Sequence, residues 1–289
     1  MPIKDSELIL NPDGSVYHLN LRPEHIADTI ITVGDPDRVD TVTKHFDTID
    51  FKTHKREFHT QTGTYKGKQI TVISTGIGTD NIDIVFNELD ALVNINLETR
   101  KIKPELTSLN IIRIGTSGSI QKEIPVDSFL ISEYASGFDS LLHFYNSEHI
   151  QYKAISNALM THTNWFSDKS SPYVVKCDDT LLKQLASNKT HNGFTATNVG
   201  FYGPQGRILR LPIQDKSLND KLASFSYEGQ PITNLEMETA GIYGLSGLLG
   251  HKALSMNAII ANRATGQFSN NPKAVVEDLI LYTLNKLVE

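Results

Sequence analysis

The sequence predicts an α/β fold in which a β-sheet is sandwiched between helices. Short apolar runs rich in β-branched residues alternate with longer amphipathic segments along the chain, which is typical of such folds. Of the 289 residues, 39% are hydrophobic and 21% are charged, so the chain can bury a sizeable core and disorder is excluded as its dominant state. No repeat or linker divides it, and we expect a single domain over 1–289 with 1–15 as an N-terminal extension.

Seven apolar runs are predicted strands because they are short and bounded by polar or turn-forming residues. They are Thr29–Val33, Gln69–Thr75, Asn110–Ile114, Ser128–Ser132, Thr195–Gly200, Thr233–Met237 and Leu254–Ala261. Ligands of open α/β sheets bind at the carboxyl ends of strands. We therefore expect the functional residues to follow these runs.

Six segments are predicted helices, most of them from apolar residues spaced three and four apart. They are Pro36–Phe46, Ile82–Val93, Asp179–Ser187, Ser217–Phe225, Thr239–Leu249 and Pro272–Leu287. Asp35 and Asn271 each precede a proline and are predicted N-caps, with the proline at the first helical position. Asp80 or Asn81 is the predicted cap of the second helix.

Charge and cysteine content exclude several classes of protein. Lys and Arg number 27 and Asp and Glu 33, a net charge of −6, so the chain is a poor binder of nucleic acids and anionic membranes. A single cysteine, Cys177, excludes an intrachain disulfide framework and a Cys-based zinc site, and fits a reducing compartment. No apolar stretch approaches the roughly 20 residues that span a bilayer. We expect a cytoplasmic protein without nucleic-acid or membrane partners.

Two segments carry arginines where a strand ends. Gly34-Asp35-Pro36-Asp37-Arg38 joins a strand to a helix, a junction that exposes backbone N–H groups, and Arg38 must supply the positive charge of an anion site there. The alternative is a well-capped helix with a surface arginine. Arg113 lies inside an apolar strand that opens into Gly-Thr-Ser-Gly, and its planar guanidinium suits bidentate phosphate contact. The alternative is an internal Arg–carboxylate pair.

Three further clusters contain candidate binding groups. Phe201, Gln205 and Arg207 follow a strand, and the Gln amide can match an imide edge while Phe offers a stacking face; the alternative is an ordinary Gly/Pro turn. Glu236 and Glu238 alternate along a strand and can share a side, where carboxylates would accept sugar hydroxyls; the alternative is acids at a helix start. The basic run at 54–56 is either a solvated face or a source of a further cation for the anion site.

Together these segments resemble the nucleoside phosphorylase family of the purine/uridine type, and look most like uridine phosphorylases. The matching motifs, in order, are YHLNL, VGDPDR, HKREF, STGIG, RIGTSGSI, FYGPQGR, LEMETAG and ANR, and they extend from about Val16 to Arg263. The resemblance implies a single-domain, three-layer α/β/α sandwich around a twisted mixed β-sheet. It implies a transferase that splits uridine with inorganic phosphate in nucleoside salvage and catabolism. Deoxyuridine and thymidine stay open as substrates.

The same resemblance implies a role for each matched residue. The implied phosphate site comprises Gly34, Arg38, Arg113 and Thr116, with Arg56 lent by a neighbouring subunit. The implied ribose site comprises Glu236, Met237 and Glu238, with His18 lent across the dimer. The implied base site comprises Gly118, Phe201, Gln205 and Arg207. Arg113, Gln205, Arg207 and Glu238 are the residues expected to be catalytic. No cofactor is implied, since phosphate is a co-substrate, and the protein is expected to be a homo-oligomer, either a dimer or a trimer of dimers, with shared active sites.

Two departures from the family pattern bear on specificity. Purine-directed relatives carry an Asp near the end of the late strand, whereas this chain has Ala261-Asn262-Arg263 there, which favours uridine. Some relatives hold a monovalent cation between subunits with a Glu that matches Glu57 and a serine. Asn81 stands in place of that serine, so we expect no metal.

Other functions stay open on the sequence. A purine nucleoside phosphorylase or a nucleosidase would share the fold, but a nucleosidase uses water and does not need three phosphate arginines. A non-catalytic nucleoside-binding protein is a further alternative. A nicotinamide dehydrogenase has weak support from Gly76-x-Gly78, because the third glycine of its motif is missing.

Overall fold

The structure, a computed structural model, describes residues 2–289 and contains 14 strands and seven α-helices in that part of the chain. The strands are β1 Thr29–Val33, β2 Thr48–Lys55, β3 Phe58–Tyr65, β4 Lys68–Ser74, β5 Ile95–Asn96, β6 Lys101–Ile102, β7 Asn110–Ser119, β8 Phe129–Gly137, β9 Tyr173–Lys176, β10 Thr190–Thr197, β11 Ser226–Tyr227, β12 Gln230–Glu236, β13 Lys252–Asn262 and β14 Gln267–Phe268. The helices are α1 Asp37–Thr43, α2 Thr79–Asn94, α3 Lys153–Thr163, α4 Asp179–Leu185, α5 Leu218–Ser224, α6 Thr239–Leu249 and α7 Pro272–Val288.

Twelve of the strands form one mixed sheet in the order β11-β12-β10-β8-β13-β7-β1-β4-β3-β2, with β9 beside β8 and β14 beside β13. The strands β4, β1, β7 and β13 are parallel to one another, and β8 runs antiparallel to β13. The end of β12 also pairs antiparallel with the end of β7, where Leu235 lies opposite Gly118. Because of this pairing, β7, β13, β8, β10 and β12 close into a ring. We call it the strand ring.

Helices pack in groups against the sheet, which confirms the predicted α/β fold. Helix α2 packs against α6, while α1 and α4 pack against α7. The apolar residues of α2 that recur at three- and four-residue steps, from Ile82 to Leu92, are fully buried in the main core. No helix within residues 2–289 combines the length and the apolar character that crossing a membrane requires.

The strand boundaries differ from the predictions where polar residues lie in strands. Strand β2 is a mostly exposed edge strand and β3 is rich in Thr, so neither contains an apolar run. They form an unpredicted hairpin around the basic run. Strand β7 extends beyond Ile114 to Ser119, because Gly115–Ser119 pair with β13 and β12. Helix α3 and the short strand β9 were not predicted either.

The observed first residues of three helices can be compared with the N-caps predicted for them. Asn271 caps α7 through its side chain, as predicted. The predicted cap of the first helix is wrong, because α1 begins at Asp37 with Pro36 at the cap position and has no side-chain cap, although the Asp35 carboxylate accepts the Asp37 N–H at 3.0 Å. The predicted cap of α2 is wrong, because this helix begins at Thr79 after Gly78 and makes no side-chain cap.

Candidate active site

One cavity of about 680 Å³ brings together all of the predicted site residues except Arg56 and His18. It lies where β1, β4, β7 and β12 end. Its lining includes Gly34, Arg38, Arg113, Thr116, Gly118, Phe201, Gln205, Arg207, Glu236, Met237 and Glu238. A larger cavity of about 820 Å³ is lined largely by residues of the segment 199–215 and shares Arg207 with the first. The smaller cavity holds the convergent charged groups, so it is the candidate active site.

Arg113 is buried at the base of this cavity between acids and neutral acceptors. Its Nη2 lies 2.6 Å from the Glu238 carboxylate and 3.3 Å from that of Glu236. Its Nη1 donates to Asn257 Oδ1 at 3.1 Å and to Ser255 Oγ at 3.4 Å. Burial alone would lower the pKa of Arg113, but the two glutamates outweigh it and raise that pKa. The internal Arg–carboxylate pair is therefore present, and Arg113 also lines the cavity, while its contact with phosphate stays a prediction.

Gly115 explains how this guanidinium fits inside the strand. Arg113 and Gly115 are two residues apart on β7, so they face the same side of the strand. A Cβ on Gly115 would overlap the guanidinium of Arg113. The guanidinium thus lies over the glycine backbone, and only glycine leaves it room.

Arg38 approaches the cavity from the first turn of α1. Its Nη1 is 3.4 Å from the carbonyl oxygen of Ile114, and no carboxylate in residues 2–289 forms an ion pair with it. Burial, followed by the charge of Arg113, lowers the pKa of Arg38. The guanidinium groups of Arg38 and Arg113 therefore both line the cavity, and no ion pair within residues 2–289 neutralises the charge of Arg38. This arrangement favours an anion.

The two glutamates at the end of β12 have different surroundings. Glu236 accepts hydrogen bonds from Thr197 Oγ1 at 2.6 Å and from the backbone N–H groups of Glu238 and Thr239, both at 2.9 Å. It thereby holds the start of α6. Glu238 accepts from the Gly78 N–H at 3.0 Å, and burial raises its pKa although Arg113 opposes that shift. Of the two, Glu238 keeps more free acceptor capacity.

The segment after β10 carries the predicted base-reading residues. Gln205 is buried, and its Oε1 accepts from Arg207 Nη1 at 2.6 Å. The Arg207 guanidinium also lies 3.7 Å from the centroid of the Phe201 ring. No acceptor within residues 2–289 bonds the Gln205 Nε2 group. This amide donor stays accessible and is therefore left for a ligand in the cavity.

Arg263 is a residue of this region that the sequence analysis did not assign. Its guanidinium donates to the backbone carbonyl of Gln205, which also accepts from Asn219 Nδ2 at 2.9 Å. Burial, followed by the charge of Arg263, lowers the pKa of Arg207. The ANR motif pointed to this residue in the sequence. In the structure, its arginine is hydrogen bonded to the segment after β10 that carries Gln205 and Arg207.

Arg56 and His18 lie outside the cavity of their own chain. Arg56 is exposed at the tip of the β2–β3 hairpin with a φ of 55°, an uncommon conformation for a residue other than glycine. Its guanidinium lies 5.9 Å from the Tyr17 ring centroid, and the His18 ring lies 4.9 Å from the same ring. Glu88 bonds His18 Nδ1 at 2.7 Å. Both residues are thus presented on one outer surface.

Glu57 follows Arg56 in the hairpin and does line the cavity, together with Gly76 and Asn81. A Cβ on Gly76 would overlap the Asn81 amide and approach the Glu57 side chain. Among the residues from 2 to 289, no group of three or more His, Cys, Asp or Glu side chains could hold a metal ion.

Comparison with known proteins places the chain among phosphorylases. A family model described as "Phosphorylase superfamily" matches residues 28–281. The chain is 29% identical to the uridine phosphorylase of Thermococcus kodakarensis, and the match covers 89% of this chain and 80% of the relative. It is 25% identical to a DeoD-type purine nucleoside phosphorylase of Listeria monocytogenes, and that match covers 94% of this chain and 99% of the relative. A crystal structure of a Trypanosoma brucei nucleoside phosphorylase, described as showing uridine phosphorylase activity, superposes with a TM-score of 0.86 at 28% identity and covers 97% of this chain and 99% of that one.

Proposed function

The chain belongs to the phosphorylase superfamily, and from this premise we propose that it is a uridine phosphorylase. It is an enzyme of the nucleoside phosphorylase family and hence a pentosyltransferase. In the proposed reaction, inorganic phosphate replaces uracil on C1′ of uridine and gives uracil and ribose 1-phosphate, reversibly. Deoxyuridine and thymidine would fit the same chemistry. The reaction needs no cofactor because phosphate is itself a substrate.

The Gln205–Arg207 pair carries the preference for a pyrimidine. Uracil presents two carbonyl oxygens flanking one N–H along its imide edge. The Gln205 amide can both donate to and accept from such an edge, and the Arg207 guanidinium adds donors only. The unpaired Nε2 group of Gln205 supports this assignment, because it belongs to a side chain that lines the cavity and is free to donate to a base carbonyl.

Phosphate would bind on the opposite side of the cavity, against Arg38 and Arg113, with Gly34 and Thr116 beside them. The positive charge of Arg113 is offset by two glutamates, so most of the net positive charge at this site comes from Arg38. We propose that Arg56 of a neighbouring subunit supplies a third guanidinium. The exposed hairpin tip that carries Arg56 is suited to reach another subunit.

The ribose would lie between these two sites, against Met237 and Glu238. Glu238 would accept the sugar hydroxyls, and His18 of the neighbouring subunit would approach the 5′-hydroxyl. Glu236, which was also predicted to contact ribose, would act mainly by holding the turn that carries Glu238. An oligomer with shared sites follows from this assignment, since one subunit alone would lack Arg56 and His18.

Catalysis would then rest on position and charge. Held by arginines, the phosphate attacks C1′ as the N-glycosidic bond breaks through an oxocarbenium-like state, and correct placement accounts for part of the rate. Negative charge develops on the departing uracil, where Gln205 and Arg207 stabilise it. Glu238 holds the sugar while positive charge develops on its ring.

Purine phosphorolysis is the second candidate, because relatives with both names match the chain. A purine leaving group benefits from an acid that protonates the base. Near the end of the late strand, where purine-directed relatives carry an Asp, this chain has Ala261-Asn262-Arg263 and no acid, and Arg263 donates to the Gln205 carbonyl. An arginine cannot serve as that acid, so we place uridine first.

The test is release of uracil from uridine with and without inorganic phosphate, with inosine as the control. Phosphate-dependent release from uridine, with ribose 1-phosphate as the second product, is the expected result. Release without phosphate would identify a nucleosidase. Turnover of inosine at a comparable rate would overturn the base assignment and leave the phosphate site standing. No turnover of any nucleoside would favour a binding protein.

A further inference from the structure

A continuous chain of buried polar side chains fills the strand ring behind the cavity. All of its members are nearly or completely buried, and each is hydrogen bonded to the next. In order, they are Arg113 on β7, Asn257 on β13, Ser132 on β8, Thr195 on β10, Asn234 on β12 and Ser117, again on β7. Apolar residues usually fill the inside of such a closed sheet, so this arrangement requires an explanation.

The first links fix the orientation of the Asn257 amide. Arg113 Nη1 donates to Asn257 Oδ1 at 3.1 Å, and Asn257 Nδ2 donates to Ser132 Oγ at 3.0 Å. A guanidinium has only donors, so the amide oxygen must face Arg113 and the amide nitrogen must face Ser132. Asn257 therefore presents a fixed, neutral acceptor to the arginine.

The remaining links return to the cavity. Ser132 Oγ and Thr195 Oγ1 are 2.5 Å apart, Thr195 donates to Asn234 Oδ1 at 2.9 Å, and Asn234 Nδ2 donates to Ser117 Oγ at 2.9 Å. Each hydroxyl carries one proton, so Ser132 donates to Thr195 and the whole chain has one direction. Ser117 lines the cavity, so the polar chain begins and ends at the site.

The register places Asn257 where it can hold the guanidinium. Asn257 lies opposite Gly115 on the neighbouring strand β7. Gly115 is the residue over whose backbone the Arg113 guanidinium lies. The arginine is thus confined by the glycine backbone and by the amide of the adjacent strand.

We propose that Asn257 is a positioning residue for the phosphate-binding arginine. It accepts a hydrogen bond from Arg113 Nη1 inside the strand ring, while Glu236 and Glu238 attract Nη2, and so it keeps the guanidinium in place. Without it, the guanidinium turns toward the two carboxylates, since Ser255 is the more distant acceptor at 3.4 Å. The inference rests on the proposed assignment of Arg113 to phosphate.

The amide is the appropriate group because it accepts without adding charge. One arginine and two glutamates already occupy this buried region. A third carboxylate would add negative charge next to the phosphate, and an apolar side chain would leave an arginine N–H unpaired. Neither Asp nor Leu, which have a similar size, should therefore replace Asn257 in this role.

The experiment compares Asn257→Leu and Asn257→Asp with the wild-type full chain. The dissociation constant of inorganic phosphate is measured by calorimetry, and the KM for uridine is measured at saturating phosphate. We expect Asn257→Leu to weaken phosphate binding about tenfold, as expected for a buried donor that loses its acceptor, and to raise the KM for uridine by a clearly smaller factor. Asn257→Asp should weaken phosphate as well.

Asn94→Leu is the matched control, because Asn94 is a buried asparagine on α2 that bonds the backbone of Thr107 and does not line the cavity. It should lower the melting temperature without a selective loss of phosphate. Wild-type phosphate affinity in Asn257→Leu would overturn the proposal, as would equal losses for phosphate and uridine. If Asn257→Leu does not fold, wild-type phosphate affinity in Asn257→Asp would overturn it instead. A wild-type chain that binds no phosphate would refute the proposed function itself.

Discussion

Glu238 and Arg113 form a buried ion pair at 2.6 Å that joins the proposed ribose and phosphate sites. The other Glu238 oxygen accepts the Gly78 N–H at 3.0 Å. A sugar hydroxyl that donates to Glu238 must therefore share the carboxylate with the arginine that faces phosphate. We infer that nucleoside and phosphate affect each other's affinity through this pair.

Glu238→Gln separates the two roles of this carboxylate. The variant keeps the shape of the side chain but removes the charge that accepts sugar hydroxyls, so kcat/KM for uridine should fall about 100-fold. Phosphate should bind at least as tightly as before, because Arg113 loses part of its neutralising charge. Steady-state kinetics and phosphate calorimetry measure the two effects. A parallel loss of phosphate affinity would contradict the proposed division of the site.

Arg207→Met tests stabilisation of the leaving uracil. Methionine keeps an unbranched apolar stem against Phe201 but cannot donate to the base, so kcat with uridine should fall about 100-fold, in the range of a lost electrostatic donor. Phosphate affinity should stay within about twofold of wild type. Arg210→Met is the control, because Arg210 is an exposed arginine of the same segment and does not line the candidate site. Equal losses in the two variants would show that the segment matters only for folding.

Arg263→Met tests the anchor of the same segment. Gln205 would lose one of the two donors to its carbonyl, and its amide would be held less firmly. We expect the KM for uridine to rise about tenfold, with little change in phosphate affinity and no gain of activity toward inosine. An unchanged KM for uridine would show that Asn219 alone is a sufficient anchor.

The sequence predicts best what depends on local pattern. The bounds of β1 and α6 agree with the predictions, since an isolated apolar run and a Gly-rich apolar helix are visible in one segment. The motifs also identify residues that the fold gathers into one cavity. These features require no knowledge of which strands are neighbours.

Features that depend on register were not predictable in this way. Asn257 appears in the sequence as a polar interruption of an apolar strand, and its importance follows only from its position opposite Gly115. The closure of β12 on β7 likewise joins segments more than 100 residues apart. The β2–β3 hairpin was missed because its strands are polar, with β2 at the sheet edge.

A polar clasp, formed by Glu277 on α7 with Lys44 and His45 just after α1, predicts a pH-dependent contribution to stability. The Glu277 carboxylate contacts Lys44 Nζ and His45 Nε2, each at 2.7 Å. Burial alone would raise the pKa of Glu277, but the bonds to Lys44 and His45 outweigh it and lower that pKa. Because the pKa is lower in the folded chain, the stabilisation is present above the unfolded value near 4.5 and is lost as the pH falls through the folded value.

Glu277→Gln should therefore lower the free energy of unfolding by about 0.5–1 kcal/mol at neutral pH, a modest amount because the clasp is partly exposed. The difference from wild type should shrink from neutral pH to an acidic pH below the folded pKa of Glu277, where the carboxyl is protonated in both states. Urea unfolding at both pH values measures it. Asp278→Asn is the control, since Asp278 is exposed and forms no ion pair within residues 2–289. A difference that persists at low pH would contradict the assignment.

Mixing two inactive variants tests whether the active site is shared. Arg38→Ala removes an arginine from a subunit's own site, and Arg56→Ala removes the arginine that it would lend to a neighbour. In a mixed dimer, one site lacks both arginines and the other has both. Random exchange makes half of the dimers mixed, so activity should recover to about a quarter of wild type.

Activity can recover only if each active site takes its Arg56 from the other subunit. If Arg56 served its own subunit, each chain in the mixture would still lack one arginine and the activity would stay at the level of the separate variants. Lys52→Ala is the matched control, because Lys52 is exposed on the same strand β2 and does not line the cavity. It should be active alone and gain nothing from mixing. Recovery near a quarter therefore requires that Arg56 act across the interface, as its exposed position at the hairpin tip suggests.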